Sequence, residues 1–140
     1  MDECRTLFAK KMHDYGPSWR ILRPTSLTDQ IYIKARRIRT LEICGKGLVD
    51  EGIRPEFIGI VNYAVIGLIQ LELGAADVQD GMSADECMEA YDRHSAEAMN
   101  LMLRKNHDYG EAWRQMRVSS YTDLILMKVM RTKQIEDLHG

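Results

Sequence analysis

Two short runs of this chain set the same charged and aromatic side chains at the same spacing. Lys11-x-His13-Asp14-Tyr15-Gly16-x-x-Trp19-Arg20-x-x-Arg23 returns as Lys105-x-His107-Asp108-Tyr109-Gly110-x-x-Trp113-Arg114-x-x-Arg117. A carboxylate between two aromatic side chains, followed by arginines, suits a planar base carrying an anionic group. The rings can stack on the base and the guanidiniums can grip a phosphate through two nitrogens. A second cationic pair follows each run at helical spacing, Lys34-x-x-Arg37 and Lys128-x-x-Arg131. The candidate ligand-binding set is therefore Tyr15, Trp19, Arg23, Lys34 and Arg37, with Tyr109, Trp113, Arg117, Lys128 and Arg131 in the second run. The candidate catalytic carboxylates are Asp14, Glu42, Glu51, Asp108 and Glu136, with Glu42 and Glu51 as metal ligands.

These matches belong to a longer internal repeat. Residues 11–42 align without a gap onto 105–136, with fifteen identities over 32 positions at a constant offset of 94. A purely structural repeat would mostly return its apolar residues, whereas this one also returns polar and aromatic ones. A bland reading stands beside the functional one: the Asp accepts turn hydrogen bonds, the Trp plugs a loop and the cations pair locally. His13 and His107 have no Cys or His at a spacing that would complete a zinc site. Asp29 and Glu42 lie about 20 Å apart along one helix, so neither they nor Asp123 and Glu136 can share a metal without another segment. Glu51 and Glu56 could supply that help, and Glu86, Glu89 and Asp92 form a further carboxylate run.

The elements needed to hold these groups are all helical. Residues 1–12 read as a short amphipathic helix, which Asp14-Tyr15-Gly16-Pro17 must break. A loop anchored by Trp19 leads to a helix capped at Ser26 or Thr28 and running to about Ile43. Residues 55–73 form a helix that is apolar nearly all round, opened by Pro55 and stopped at Gly74; it belongs in a core or an interface rather than in a membrane. A linker at 75–84 joins the first unit (1–74) to a second (85–140), in which a long helix, the repeated loop and a helix from Thr122 to Leu138 follow. The fold expected is an all-α bundle of two tandem helix–loop–helix units. The second unit has no counterpart of the apolar helix within this sequence, so the reading expects further chain or a partner subunit, most simply a homodimer.

The motif Lys11-x-x-Asp14-Tyr15-Gly16-x-x-Trp19, the Ser26-x-x-Asp29 helix start, Lys34-x-x-Arg37, Asn62-Tyr63-Ala64 and the second set at 105–131 together resemble the nucleotide modification associated domain 1 family. That family is similar in turn to the all-helical, MazG-like nucleoside triphosphate pyrophosphatases, although Gly59 stands where such an enzyme carries a carboxylate. The resemblance implies Mg²⁺ on Glu42 and Glu51, with one of these or Asp14 orienting water. Lys34, Arg37 and Arg23 would take the phosphates, and Tyr15 and Trp19 would sandwich the base. The alternative is a non-catalytic nucleotide-binding module, or a purely structural helical oligomer.

Composition narrows the field modestly. At 140 residues the chain can bury one sizeable core, and a net charge of -2 gives no global attraction to nucleic acid or an anionic membrane. No sequence-specific nucleic-acid binding is expected. Cys4, Cys44 and Cys87 are odd in number and lack a CxxC pair; with no apolar leader at the N-terminus, reduced thiols and a cytoplasmic location are expected. Walker, GxGxxG, HExxH and GxSxG motifs do not occur.

Overall fold

The structure, a computed structural model, describes residues 2–44, 49–76 and 81–139, with side chains throughout these except at 49–51 and 139. It is an all-α bundle, with no strand among the described residues. The α-helices are α1 (Asp2–Tyr15), α2 (Pro24–Cys44), α3 (Val49–Leu73), α4 (Ala84–Tyr109) and α5 (Val118–His139). One-turn 3-10 helices, Ser18–Ile21 and Ala112–Gln115, fill the two motif loops.

Several helix ends differ from the sequence reading for identifiable reasons. Pro24 opens α2, ahead of both expected caps, Ser26 and Thr28, because a missing N–H and a fixed φ suit a first helical turn. The Thr28 hydroxyl is then free of capping duty and lies 3.0 Å from the Pro24 carbonyl. α3 begins at Val49, so Pro55 lies inside the helix rather than at its start. At α4 a full capping box forms: Ser83 accepts from the Glu86 backbone N–H while Glu86 accepts from Ser83.

α3 is the centre of the bundle. Its residues Gly52–Leu73 are long and apolar enough to cross a membrane, a test that a core helix also passes. Val65, Ile66 and Ile69 pack with Phe8, Met12, Leu27, Ala90 and Tyr91, while Ile53 and Ile60 pack with Ala35, Ile38 and Leu126. Asn62 is the polar tie of this core. Its amide donates to the Cys4 carbonyl at 3.1 Å and accepts from the Tyr91 hydroxyl at 2.7 Å, joining α1, α3 and α4. Burial pushes the Tyr91 phenol up to about 12, so it remains a donor to Asn62 across ordinary pH. Arg93 holds the Glu72 carboxyl well below its ordinary value, at about 2, and so links α3 to α4. Cys4 and Cys87 are buried as free thiols, whereas Cys44 is exposed.

α2 and α5 lie antiparallel, and their polar contacts come in reciprocal pairs. The Thr28 hydroxyl donates to Glu136 at 2.9 Å and the Thr122 hydroxyl to Glu42 at 3.2 Å. Arg39 pairs with Asp123, and Lys133 with Asp29 at 3.2 Å. In each case the second contact is the first shifted by 94 positions with the helices exchanged. Thr122 is fully buried, so its hydroxyl has no water to turn to. Thr122→Val should lower unfolding stability by about 1–2 kcal/mol in urea denaturation; a neutral substitution would show that the Thr–Glu contact does not hold the helices together.

Candidate functional site

The motif loop is shaped by a single glycine and held by a single glutamine. Gly16 takes a left-handed φ of 66°, its N–H closing α1 onto the Met12 carbonyl at 2.9 Å. Gly110 repeats this with φ 62° and a 2.9 Å bond to Asn106. The chain then turns back so that Trp19 lies over Phe8, with ring centroids 6.0 Å apart, and its indole N–H points at the Met12 sulfur at 3.2 Å. From α3, the Gln70 amide nitrogen faces the carbonyls of Arg20 at 2.7 Å and Leu22 at 2.6 Å. Gln70 also accepts from Arg20, whose guanidinium reaches the Gly74 carbonyl at 2.8 Å. Arg20 is therefore buried as a brace of the loop and is not presented to a ligand.

Between this loop, α1, α2 and α3 lies a cavity of about 580 Å³, of the size that takes a small organic ligand. Lys11, Tyr15, Trp19, Lys34, Asn62 and Tyr63 line it, together with Phe8, Glu56 and Gly59. Tyr15 is largely exposed at the mouth, whereas Trp19 is half-buried in the wall. The charges are partly spent. Glu56 receives Lys34 at 3.3 Å and Arg37 at 3.1 Å, and Lys34 also sits 5.8 Å from the Tyr63 ring centre. Lys11, Lys34 and Arg37 against Glu56 leave two positive charges in and beside the cavity. Gly59 is where the stem of Lys34 crosses α3: a Cβ there would stand 2.7 Å from its Cε and 2.8 Å from its Cδ. The glycine that looked like a missing carboxylate is thus the notch through which Lys34 enters the site.

The remaining sequence candidates scatter. Asp14 and Asp108 are exposed and accept no hydrogen bond among the described residues, so the expected bonding of the carboxylate into its turn is not seen. Arg23 and Arg117 are exposed and do not line a cavity. Arg37 is held by Glu56 beside the cavity without lining it. Tyr109 and Trp113 line a second, more open cavity with Lys105, and Arg131 and Lys128 are exposed on α5. The Trp113 indole N–H bonds to Asn106, seven residues back, just as that of Trp19 reaches Met12.

The expected Mg²⁺ site is not formed. Among the described residues no three His, Cys, Asp or Glu side chains come together to hold a metal ion. Glu42 is turned to Thr122 and Glu136 to Thr28, across the α2–α5 contact and away from the cavity. Glu56 is engaged by two cations, and the Glu51 side chain lies outside the described residues. Of the carboxylate run on α4, Glu86 serves the helix cap and Asp92 pairs with Arg5 at 2.8 Å. A donor set of this kind does not fit a hard divalent cation, which takes six or more oxygens.

Residues 11–71 and 105–140 match the model of a known family, nucleotide modification associated domain 1. The chain belongs to that family. The nucleotide modification associated domain 1 match covers both motif loops and, in its first stretch, all of the cavity except the wall contributed by Leu7 and Phe8. No curated protein and no solved structure matches the chain, and nothing links it to the MazG-like pyrophosphatases.

Gln70 was absent from the sequence candidates, and its only signal was an amide in a largely apolar helix. Gln70→Leu should cost about 2–3 kcal/mol and shift Trp19 emission to the red, since it withdraws partners from Arg20 and from two loop carbonyls. A variant as stable as the parent in chemical denaturation, with unchanged emission, would contradict the bracing role.

Proposed function

We propose that the chain is a non-catalytic binding protein for a small aromatic anion, with nucleotides the class that fits best. The observation that carries this reading is convergence. Lys11, Tyr15, Gly16, Trp19 and Lys34 are five of the fifteen residues that the sequence returns at an offset of 94, and all five line one cavity. Aromatic side chains on one wall suit a planar base, and Lys34 and Lys11 suit an anionic group beside it. The reciprocal α2–α5 contacts support a bundle built from two copies of one helix–loop–helix unit about a local two-fold axis. On that reading, the repeated Thr28, Asp29, Glu42, Thr122, Asp123 and Glu136 join the units rather than act on a substrate.

Catalysis finds no support in the groups at hand, because Glu56, the only lining carboxylate among the described residues, is engaged by Lys34 and Arg37. The competing reading is structural: the same cations and Glu56 would simply lock α2 to α3.

Calorimetric titration with a panel of ordinary and base-modified nucleoside mono- and triphosphates separates the two. We expect saturable binding of at least one nucleotide, with the same affinity in Mg²⁺ and in EDTA and with no release of pyrophosphate. Lys34→Ala should weaken it about tenfold with little loss of thermal stability, while Trp19→Ala should lower both. Gly59→Ala should weaken binding by pushing Lys34 aside. An absence of binding across the panel, or equal stability losses from Lys34→Ala and Trp19→Ala, would favour the structural reading.

A further inference from the structure

The polar groups lining the first cavity divide by what they still offer a ligand. Among the described residues, its one lining amide and its one lining carboxylate are committed elsewhere. Asn62 donates to the Cys4 carbonyl at 3.1 Å and accepts from the Tyr91 hydroxyl at 2.7 Å, while Glu56 holds Lys34 and Arg37. Asn62 is 9% exposed, so turning its amide toward a ligand would strand the Cys4 carbonyl and the Tyr91 hydroxyl in the core. The Trp19 indole N–H is directed at the Met12 sulfur. What remains is of two kinds. The hydroxyls of Tyr15, Ser18 and Tyr63 make no hydrogen bond among the described residues, and the ammonium groups of Lys11 and Lys34 line the same space.

A base edge is distinguished by groups of fixed polarity. An exocyclic amino group donates where an oxo group accepts, and an amide or carboxylate placed against that edge tells them apart. A hydroxyl does not, because it rotates to donate to one and accept from the other. We infer that the cavity takes nucleotides with amino- and oxo-substituted bases alike, recognising an aromatic ring and an anionic group but not the edge pattern. This rests on the function proposed above and defines the breadth of its ligand. The ring is held by its faces against Tyr15 and Trp19, and every base presents such a face. Lys11 and Lys34 only donate, and the anionic group claims them. Tyr15 is 71% exposed at the mouth, so a substituent on the base can leave toward solvent beside it. A site built to bond one edge leaves a buried group unpaired with the wrong base and rejects it by orders of magnitude. Here no such group is left to strand.

The test is calorimetric titration of the full chain in EDTA with adenosine, inosine and N6-methyladenosine monophosphates and with ribose 5-phosphate. The three nucleotides are expected to bind within about threefold of one another, and ribose 5-phosphate about tenfold more weakly or worse. Tyr15→Ala, at an exposed position whose loss spares the core, should weaken all three nucleotides by one common factor of about fivefold. Tyr63→Phe and Ser18→Ala should likewise leave the ratio of adenosine to inosine binding unchanged, a ratio that a merely structural role has no means to set. Three results would overturn the inference: a preference beyond about tenfold among the nucleotides, ribose 5-phosphate binding as tightly as they do, or a loss in either hydroxyl variant confined to one base. Failure of all four ligands to bind would remove the ligand site itself and the inference with it. Tight binding of one base alone would sink the inference and leave the ligand site standing, so the two failures are distinguishable.

Discussion

A polar side chain buried in an apolar helix must find partners or destabilise the fold, and α3 carries two such groups, Asn62 and Gln70, and a half-buried third, Glu56, that fix the elements around them. Glu56 sets the position of Lys34 and Arg37, Asn62 ties α1 to α4, and Gln70 holds the carbonyls of the motif loop together with Arg20. The apolar surface of the helix supplies burial without direction. Its few polar atoms supply direction, because a hydrogen bond is satisfied in only one arrangement. The cavity is the space left between elements pinned in this way, and its walls are as well defined as those three contacts.

The α2–α5 contact answers a different question, namely why so many polar residues occur twice. A threonine near the start of each helix reaches a glutamate near the end of the other, and a cation at 39 or 133 reaches an aspartate at 123 or 29. Antiparallel pairing of two similar helices makes each such contact twice. The same contacts explain why Glu42 and Glu136 are unsuited to a metal: each is half-buried and faces a donor hydroxyl on the opposite helix. Part of the repeat therefore records assembly, and part of it, Lys11, Tyr15, Gly16, Trp19 and Lys34, surrounds the cavity.

How much of this was legible depended on the kind of residue. Helices, loops and the central place of the apolar segment followed from periodicity, and the two motif glycines announced their left-handed turns. Tyr15, Trp19 and Lys34 were singled out because they recur in a pattern richer than packing needs, and the three line one cavity. The start of α3 was misplaced by six residues because Pro55 satisfied the rule for a helix start while standing inside one. Glu42 was misread because repetition alone cannot separate a ligand from half of a symmetric contact. Gln70 escaped, and Arg20 was read with the other motif arginines as a phosphate grip, for the opposite reason: their partners include backbone carbonyls, which leave no mark on a sequence. Gly59 was read as a loss when it is a clearance for Lys34.

The central claim is that the cavity walled by Trp19 and Lys34 is a ligand site, complete in the first half of the chain and uncovered in the second. The most direct measurement follows the two indole N–H resonances of the ¹⁵N-labelled protein while a nucleoside monophosphate is titrated in EDTA. The account predicts that the Trp19 resonance moves in a saturable way while that of Trp113 stays in place. Movement of Trp113 alone, or of neither resonance with any nucleotide tried, would contradict it.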